Sequence, residues 1–204
     1  MRFEELTVSD LRLAAAHCDT LLAVCGGMAA RPPHLPVGAG AFILRKLRDG
    51  LDAALGGRVV SLPLWGFDAP GEERAYAVLQ NAAWTDFVQG YVRQIEQDLK
   101  LARIVVLTDS LAKEALVREA LQGSGHRLKT LVWWRDGLTA HAEGDVPFVP
   151  GGELETSLVL AIASRLVDLS QQSAAQWGAQ GATVERGRML WQEMVLQLRG
   201  AING

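Results

Sequence analysis

The 204-residue chain is long enough for one folded domain, or one with an extra lobe, and buries a core without disulfide or metal staples. Its net charge of −3 and pI near 5.8 argue against nucleic acid or an anionic membrane surface as partner. With 49% hydrophobic and 21% charged residues the composition is ordinary globular, and no apolar run reaches the ~18 residues of a membrane span.

The opening Met1-Arg2-Phe3-Glu4-Glu5-Leu6 is too acidic for a signal peptide, so a cytoplasmic location is expected. Thr20–Cys25 is a short apolar run of strand formers that stops at Gly26-Gly27. Cys18 and Cys25, separated by six residues, form no disulfide framework or zinc ribbon; Cys25 reads as a buried small hydrophobe. Residues 28–40 hold three prolines and end in Gly38-Ala39-Gly40, a loop of constrained backbone. Ala41, Leu44, Leu47, Leu51 and Leu55 then recur at helical spacing, with Arg45-Lys46-Leu47-Arg48 as a solvated face.

Residues 59–64 are a second strand, followed by a turn-rich loop carrying two exposed-looking aromatics, Trp65 and Phe67. Residues 85–100 are the clearest helix, with a stripe through Val88, Tyr91, Val92, Ile95 and Leu99 and cap chemistry from Thr85-Asp86. Residues 103–107 are a continuous apolar strand of the kind covered on both faces, and Asp109-Ser110 cap a helix over 111–122. Residues 130–134 predict another strand, in which alternation sends one of Trp133 and Trp134 into the core and the other into a subunit interface. Helices over 153–167 and 183–199 follow. Strands alternating with helices of this length imply βαβ units and a largely parallel sheet between helical layers. The functional crevice then lies beyond the carboxyl ends of the strands, in the loops after residues 25, 64, 107 and 134.

Five segments, in order, resemble the creatininase family of amidohydrolases. Met1 to Leu6 is similar to that family's Leu-Glu-Glu-Leu-Thr opening, and Ala23 to Gly40 resembles its P-V-G-S-T-E-Q-H-G-P-H-L-P-L-G-T-D loop. Arg103 to Leu116 resembles R-I-V-L-V-N-G-H-G-G-N-x-x-A-L, and Gly151 to Ser157 resembles H-A-G-E-x-E-T-S. Trp177-Gly178 with Ala182 to Gly187 resembles the closing W-G-D-P…A-T-x-E-K-G. The resemblance implies one creatininase-like domain over 1–204, a three-layer α/β/α sandwich with a mostly parallel sheet, and a homo-oligomer, commonly a hexamer.

It also implies a two-metal centre of zinc or manganese whose bound water attacks an amide carbon. Here the expected ligand positions hold Ala29, Arg31, Gly40, Ser110 and Ala112, and the substrate-side histidine before Gly-Gly falls on Pro150. None of these coordinates a divalent ion and Arg31 repels one, so no metal cofactor is expected. The frame motifs Pro33-His34-Leu35-Pro36 and Glu153-Leu154-Glu155-Thr156-Ser157 remain.

The leading expectation is therefore a catalytically degenerate protein, a binding, regulatory or structural subunit, with an active paralogue as one candidate partner. The alternative is an amide, cyclic amide or peptide hydrolase working without metal through His34, Glu155 and Ser110. A third is a small-molecule binder whose cleft, with Arg31 at its rim, holds an anion. Arg31, Asp109, Glu153, Trp133 and Trp134 are the ligand-binding candidates. The blander readings are that His34 hydrogen-bonds the loop backbone, Glu155 pairs with Arg31 and Asp109-Ser110 merely cap a helix. Asp136, His141, Glu143 and Asp145 read as a solvated loop cluster, and His17 and His126 as surface or boundary residues.

Overall fold

A computed structural model describes residues 1–72, 75–139, 148–171 and 178–204. His141, Glu143, Asp145 and Trp177 fall outside the described residues. Four parallel strands, β1 (Thr20–Cys25), β2 (Val59–Ser61), β3 (Arg103–Thr108) and β4 (Arg127–Val132), make one sheet in the order β2-β1-β3-β4. Thr20 lies opposite both Val59 and Arg103, and Arg103 opposite Arg127, so all four carboxyl ends reach the same edge.

β1 and the interior of β3 are apolar because both sheet faces are covered there, whereas the edge strand β4 carries Arg127, Lys129 and Thr130 ahead of its apolar end. Side chains alternate between two cores. Leu22, Val24, Val105, Leu107 and Leu131 pack with α2 (Ala39–Leu55), α6 (Glu153–Ala163) and α7 (Val184–Asn203). Leu21, Ala23, Cys25, Ile104 and Val106 face α1 (Val8–His17), α3 (Asn81–Glu96) and α4 (Leu111–Ala120). This is the expected three-layer α/β sandwich with a parallel sheet. No helix among the described residues is long and apolar enough to cross a membrane.

The boundaries differ where local chemistry competes with periodicity. β2 ends at Ser61 because Pro63 has no N–H to give the ladder, although Leu62 and Trp65 still donate to Leu22 and Val24 carbonyls at 2.8 and 2.9 Å. α3 starts at Asn81, after Gln80, so Thr85 and Asp86 lie inside the helix and cap nothing. β4 ends at Val132, and Trp133 and Trp134 turn into the short helix α5 (Trp133–Asp136), where the Asp136 carboxylate accepts the Val132 N–H at 2.6 Å. Strand alternation therefore does not govern the two rings: Trp133 is buried and Trp134 is half-buried against the same core. Trp65 is buried too, against Phe87 and Tyr91, and Phe67 is half-buried, so neither is the exposed aromatic the turn-rich context suggests.

Arg48 also departs from a solvated face. It is buried, and its guanidinium donates to the Leu62 carbonyl at 3.1 Å and to Glu4 at 2.6 Å, while Arg45 and Lys46 remain exposed. α6 stops at Ala163, its last expected turn tightening into a 3-10 turn over Ser164–Leu166. α1 has weak apolar patterning, and its signal is the Thr7–Asp10 capping box.

The glycine that closes the last motif has a packing reason. A Cβ on Gly187 would sit 1.9 Å from the Ser157 carbonyl oxygen, so α7 crosses α6 backbone to backbone there. Gly90 in α3 faces open space. Gly187→Ala should lower the free energy of unfolding by at least about 2 kcal/mol through overpacking. Gly90→Ala should raise it by roughly 0.5–1 kcal/mol through helix propensity. Equal effects of the two substitutions on the urea midpoint would contradict the close crossing.

Candidate functional site

The loops beyond the carboxyl ends of the strands enclose a cleft of about 570 Å³. The loop after β1 supplies Ala29, Arg31, Pro32 and Pro33. The loop after β2 supplies Glu72, and the end of β3 with the first turn of α4 supplies Asp109, Ser110 and Lys113. Trp133 and the approach to α6, from Phe148 to Glu155, close the remaining side.

Two buried ion-pair systems make the floor. In the first, Arg31 Nε donates to both oxygens of Glu155 at 3.0 and 3.2 Å, and Glu155 also accepts the Gly151 N–H at 2.6 Å. Glu155 is fully buried, so the guanidinium and the amide satisfy a charge that water cannot reach. Gly151 is needed for this approach. Its φ is +80°, and a Cβ there would lie 2.3 Å from Pro32 Cγ.

In the second, the Lys113 ammonium meets Asp109 at 2.8 Å, Glu72 at 2.9 Å and Asp68 at 3.3 Å. The lysine side chain is only 3% exposed. Burial alone would depress its pKa, but Asp109 and Glu72 more than offset that and raise it, so the amine stays protonated. Burial raises the Asp109 pKa against the pull of Lys113. Each carboxylate has a second anchor. Asp68 accepts Met28 and Ala77 N–H groups at 3.0 and 3.2 Å, Glu72 accepts the Ala69 N–H at 2.7 Å, and Asp109 accepts the Gly27 N–H at 3.3 Å. Ser110 accepts the Lys113 N–H as the α4 cap, as expected, and donates its hydroxyl to Glu72.

The other candidates stand around this floor. His34 is buried behind the cleft and its Nε2 lies 3.0 Å from the Thr156 hydroxyl, which donates to the Gly151 carbonyl at 3.2 Å. With the Thr156 hydroxyl so engaged, Nε2 is the donor. Nδ1 has no partner among the described residues. Glu153 turns away to Arg186, at 2.7 Å. Trp134 stacks on Phe148 with centroids 5.1 Å apart and donates its indole N–H to the Asp109 carbonyl at 3.1 Å. His17 is exposed and half-buried His126 pairs with Glu96. Asp136 pairs with Arg135 at 2.7 Å.

Neither a family model nor a curated relative matches the chain by sequence. Solved structures do match. A structure described as creatininase Mn superposes with a TM-score of 0.78 at 18% identity, covering 98% of this chain and 96% of the other. The chain has the creatininase fold. A variant creatininase of Zn-Zn type, at 20% identity and a TM-score of 0.76, covers the same shares. A putative creatinine amidohydrolase from Bacteroides fragilis gives a TM-score of 0.77 at 14% identity, over 98% and 94% of the two chains.

The creatininase fold raises the question of a metal pair, and the described residues at the matched positions do not fit one. Ala29, Arg31, Ser110 and Pro150 all line the same cleft. Gly40 lies on its wall: a Cβ there would be 2.9 Å from Asp109 Oδ2 and 3.5 Å from Arg31 Nη2. Five of the positions that the resemblance assigns to ligands or substrate contact thus converge, Ala112 not being among the residues that line the cleft, and they carry no imidazole or carboxylate. The carboxylates nearby already hold an ammonium and a guanidinium. Among the described residues no group of three or more His, Cys, Asp or Glu side chains is arranged to hold a metal ion.

Sequence reading missed Lys113, Asp68 and Glu72. The available signal was a lysine four residues after Asp109, in the first helical turn beyond a central strand, where a cation opposes the helix dipole and needs a reason to be there.

Burial holds the His34 pKa below its ordinary value. Its neutral form is favoured on folding, so this contribution to stability is complete above the unfolded pKa of ~6.5 and is lost as pH falls through that value towards the folded one. His34→Gln should flatten the decline of the urea midpoint between about pH 6.5 and 5. A decline as steep as in the unsubstituted chain would show that His34 is not its source.

Proposed function

We propose that this chain is a catalytically degenerate creatininase-fold protein, a binding or regulatory subunit whose cleft lacks the two-metal amidohydrolase centre. One observation carries the reading: Ala29, Arg31, Gly40, Ser110 and Pro150, positions matched to the metal centre, meet at a single cleft, and fixed side-chain cations, Arg31 and Lys113, stand there. The cleft carboxylates are already engaged, Asp68, Glu72 and Asp109 by Lys113 and Glu155 by Arg31, so a divalent ion would have to displace a fixed cation to reach them. Of the side chains at the matched positions only Ser110 offers a lone pair, and its neutral hydroxyl already bonds Glu72 and the Lys113 N–H. A homo-oligomer, or assembly with an active paralogue, fits a subunit that binds without turning over.

The test is metal content and turnover together. Protein purified without chelator should hold well under 0.1 equivalent of zinc or manganese and should not hydrolyse creatinine or a panel of cyclic amides, amides and peptides, with or without added metal. Stoichiometric metal measured by elemental analysis overturns the reading.

A second reading, a metal-free hydrolase, draws on the hydrogen bond from the Ser110 hydroxyl to Glu72, a nucleophile and an acceptor for its proton. His34 and Glu155 do not complete that pair, since His34 bonds Thr156 and Glu155 bonds Arg31. Lys113 also draws the Glu72 charge away from the hydroxyl. If this reading holds, Ser110→Ala removes at least about 100-fold of any amide turnover while leaving the melting temperature within a few degrees.

A further inference from the structure

The misfit between the fold's metal pair and this cleft has a positive side. We propose that the Lys113 ammonium is the resident cation of the cleft, a tethered counter-ion that joins three loops at one point and frees their arrangement from any external ion.

The geometry supports this at three levels. First, the carboxylates come from separate segments. Asp68 and Glu72 lie in the loop after β2, and Asp109 lies at the end of β3, forty-odd residues further on. Side chains from distant segments that converge within 2.8–3.3 Å of one positive centre are what an ion produces when it organises a site. Second, the lysine is almost wholly withdrawn from water, so its charge is neutralised by these oxygens alone. Third, the anchors on the far side of each carboxylate pass the constraint on. Asp109 holds the Gly27 amide and Asp68 holds Met28, so the loop after β1, which carries Arg31, is fixed through the same ammonium. Arg31 in turn fixes Glu155 at the start of α6. Loops from three strands and one helix are thereby tied to a single nitrogen.

Charge balance gives this a measurable consequence. Around Lys113 there are three carboxylates and one ammonium, so the cluster needs its cation more than a simple pair does. The backbone amides that hold Gly27, Met28, Ala69 and Ala77 to the carboxylates do not depend on the lysine. Shortening the lysine therefore leaves a group of acidic oxygens, already positioned, without a counter-ion.

The proposal rests on the reading that the unsubstituted cleft is metal-free, and the experiment separates the two. Melting temperature and backbone hydrogen exchange over residues 26–29 and 66–72 are measured for the unsubstituted chain and for Lys113→Ala, each with chelator and with 1 mM manganese or calcium chloride. The expected result is an unsubstituted chain whose melting temperature shifts by less than 1 °C between chelator and metal. Lys113→Ala should exchange at least tenfold faster in both segments with chelator and regain several degrees with metal. Lys113→Ala that stays as protected as the unsubstituted chain, or that gains nothing from either ion, overturns the tethered cation. An unsubstituted chain that loses stability on chelation overturns the metal-free reading instead. If Lys113→Ala does not fold, Glu72→Gln serves, because it leaves the ammonium in place with one anchor fewer. It should loosen 66–72 more than 26–29, and uniform or absent loosening counts against the proposal.

Discussion

A protonated amine held out of water among three carboxylates is costly to break and easy to mis-set. Removing one partner leaves an unpaired buried charge, which is why such groups tolerate little movement of the segments that carry them. In this chain those segments are the loops that leave the carboxyl ends of β1, β2 and β3. The parallel sheet delivers all of them to one edge, and the ion cluster turns that adjacency into a fixed floor. Arg31 and Glu155 extend the floor to α6, and the Trp134 indole extends it to the end of β4 through the Asp109 carbonyl. The cleft is therefore a pocket with apolar walls of proline and aromatic side chains over a charged base.

Below the floor the molecule obeys simpler rules. Each central strand buries alternate residues in two separate cores, and every helix presents one apolar face to one of them. The α6–α7 crossing at Gly187 brings α7 onto the Ser157 carbonyl, two residues beyond Glu155. Site and scaffold meet there, because the helix that packs closest is the one whose first turn carries the partner of Arg31.

Much of this was legible in the sequence. The two central strands, β1 and β3, are apolar on both faces, as a covered parallel sheet requires, and residues 103–107 and 20–25 fall where they were expected. Five motifs in order pointed to the creatininase fold, and the pairing of Arg31 with Glu155 was one of the two readings open for that acid. What was not legible has physical causes. Trp133 and Trp134 look like strand residues until the Asp136 carboxylate captures the Val132 amide and starts a helical turn. α3 begins ahead of its most obvious caps, because Trp84 is needed in the core and its indole reaches the Asp68 carbonyl at 3.2 Å. The Lys113 cluster joins residues up to 45 positions apart, and no local pattern reports a contact of that span.

Cys25, the last residue of β1, lies completely buried beside the cluster, and burial together with the Asp109 charge lifts its thiol pKa well above the ordinary value. Cys18 is buried as well, donating to the Gly57 carbonyl at 3.1 Å. The native chain thus carries two thiols and presents neither as a reactive thiolate. The two sit at opposite ends of the sheet, Cys18 before β1 and Cys25 at its carboxyl end. Their alkylation rates form a pair of internal clocks: Cys25 times the opening of the cleft floor, and Cys18 times the opening of the far edge.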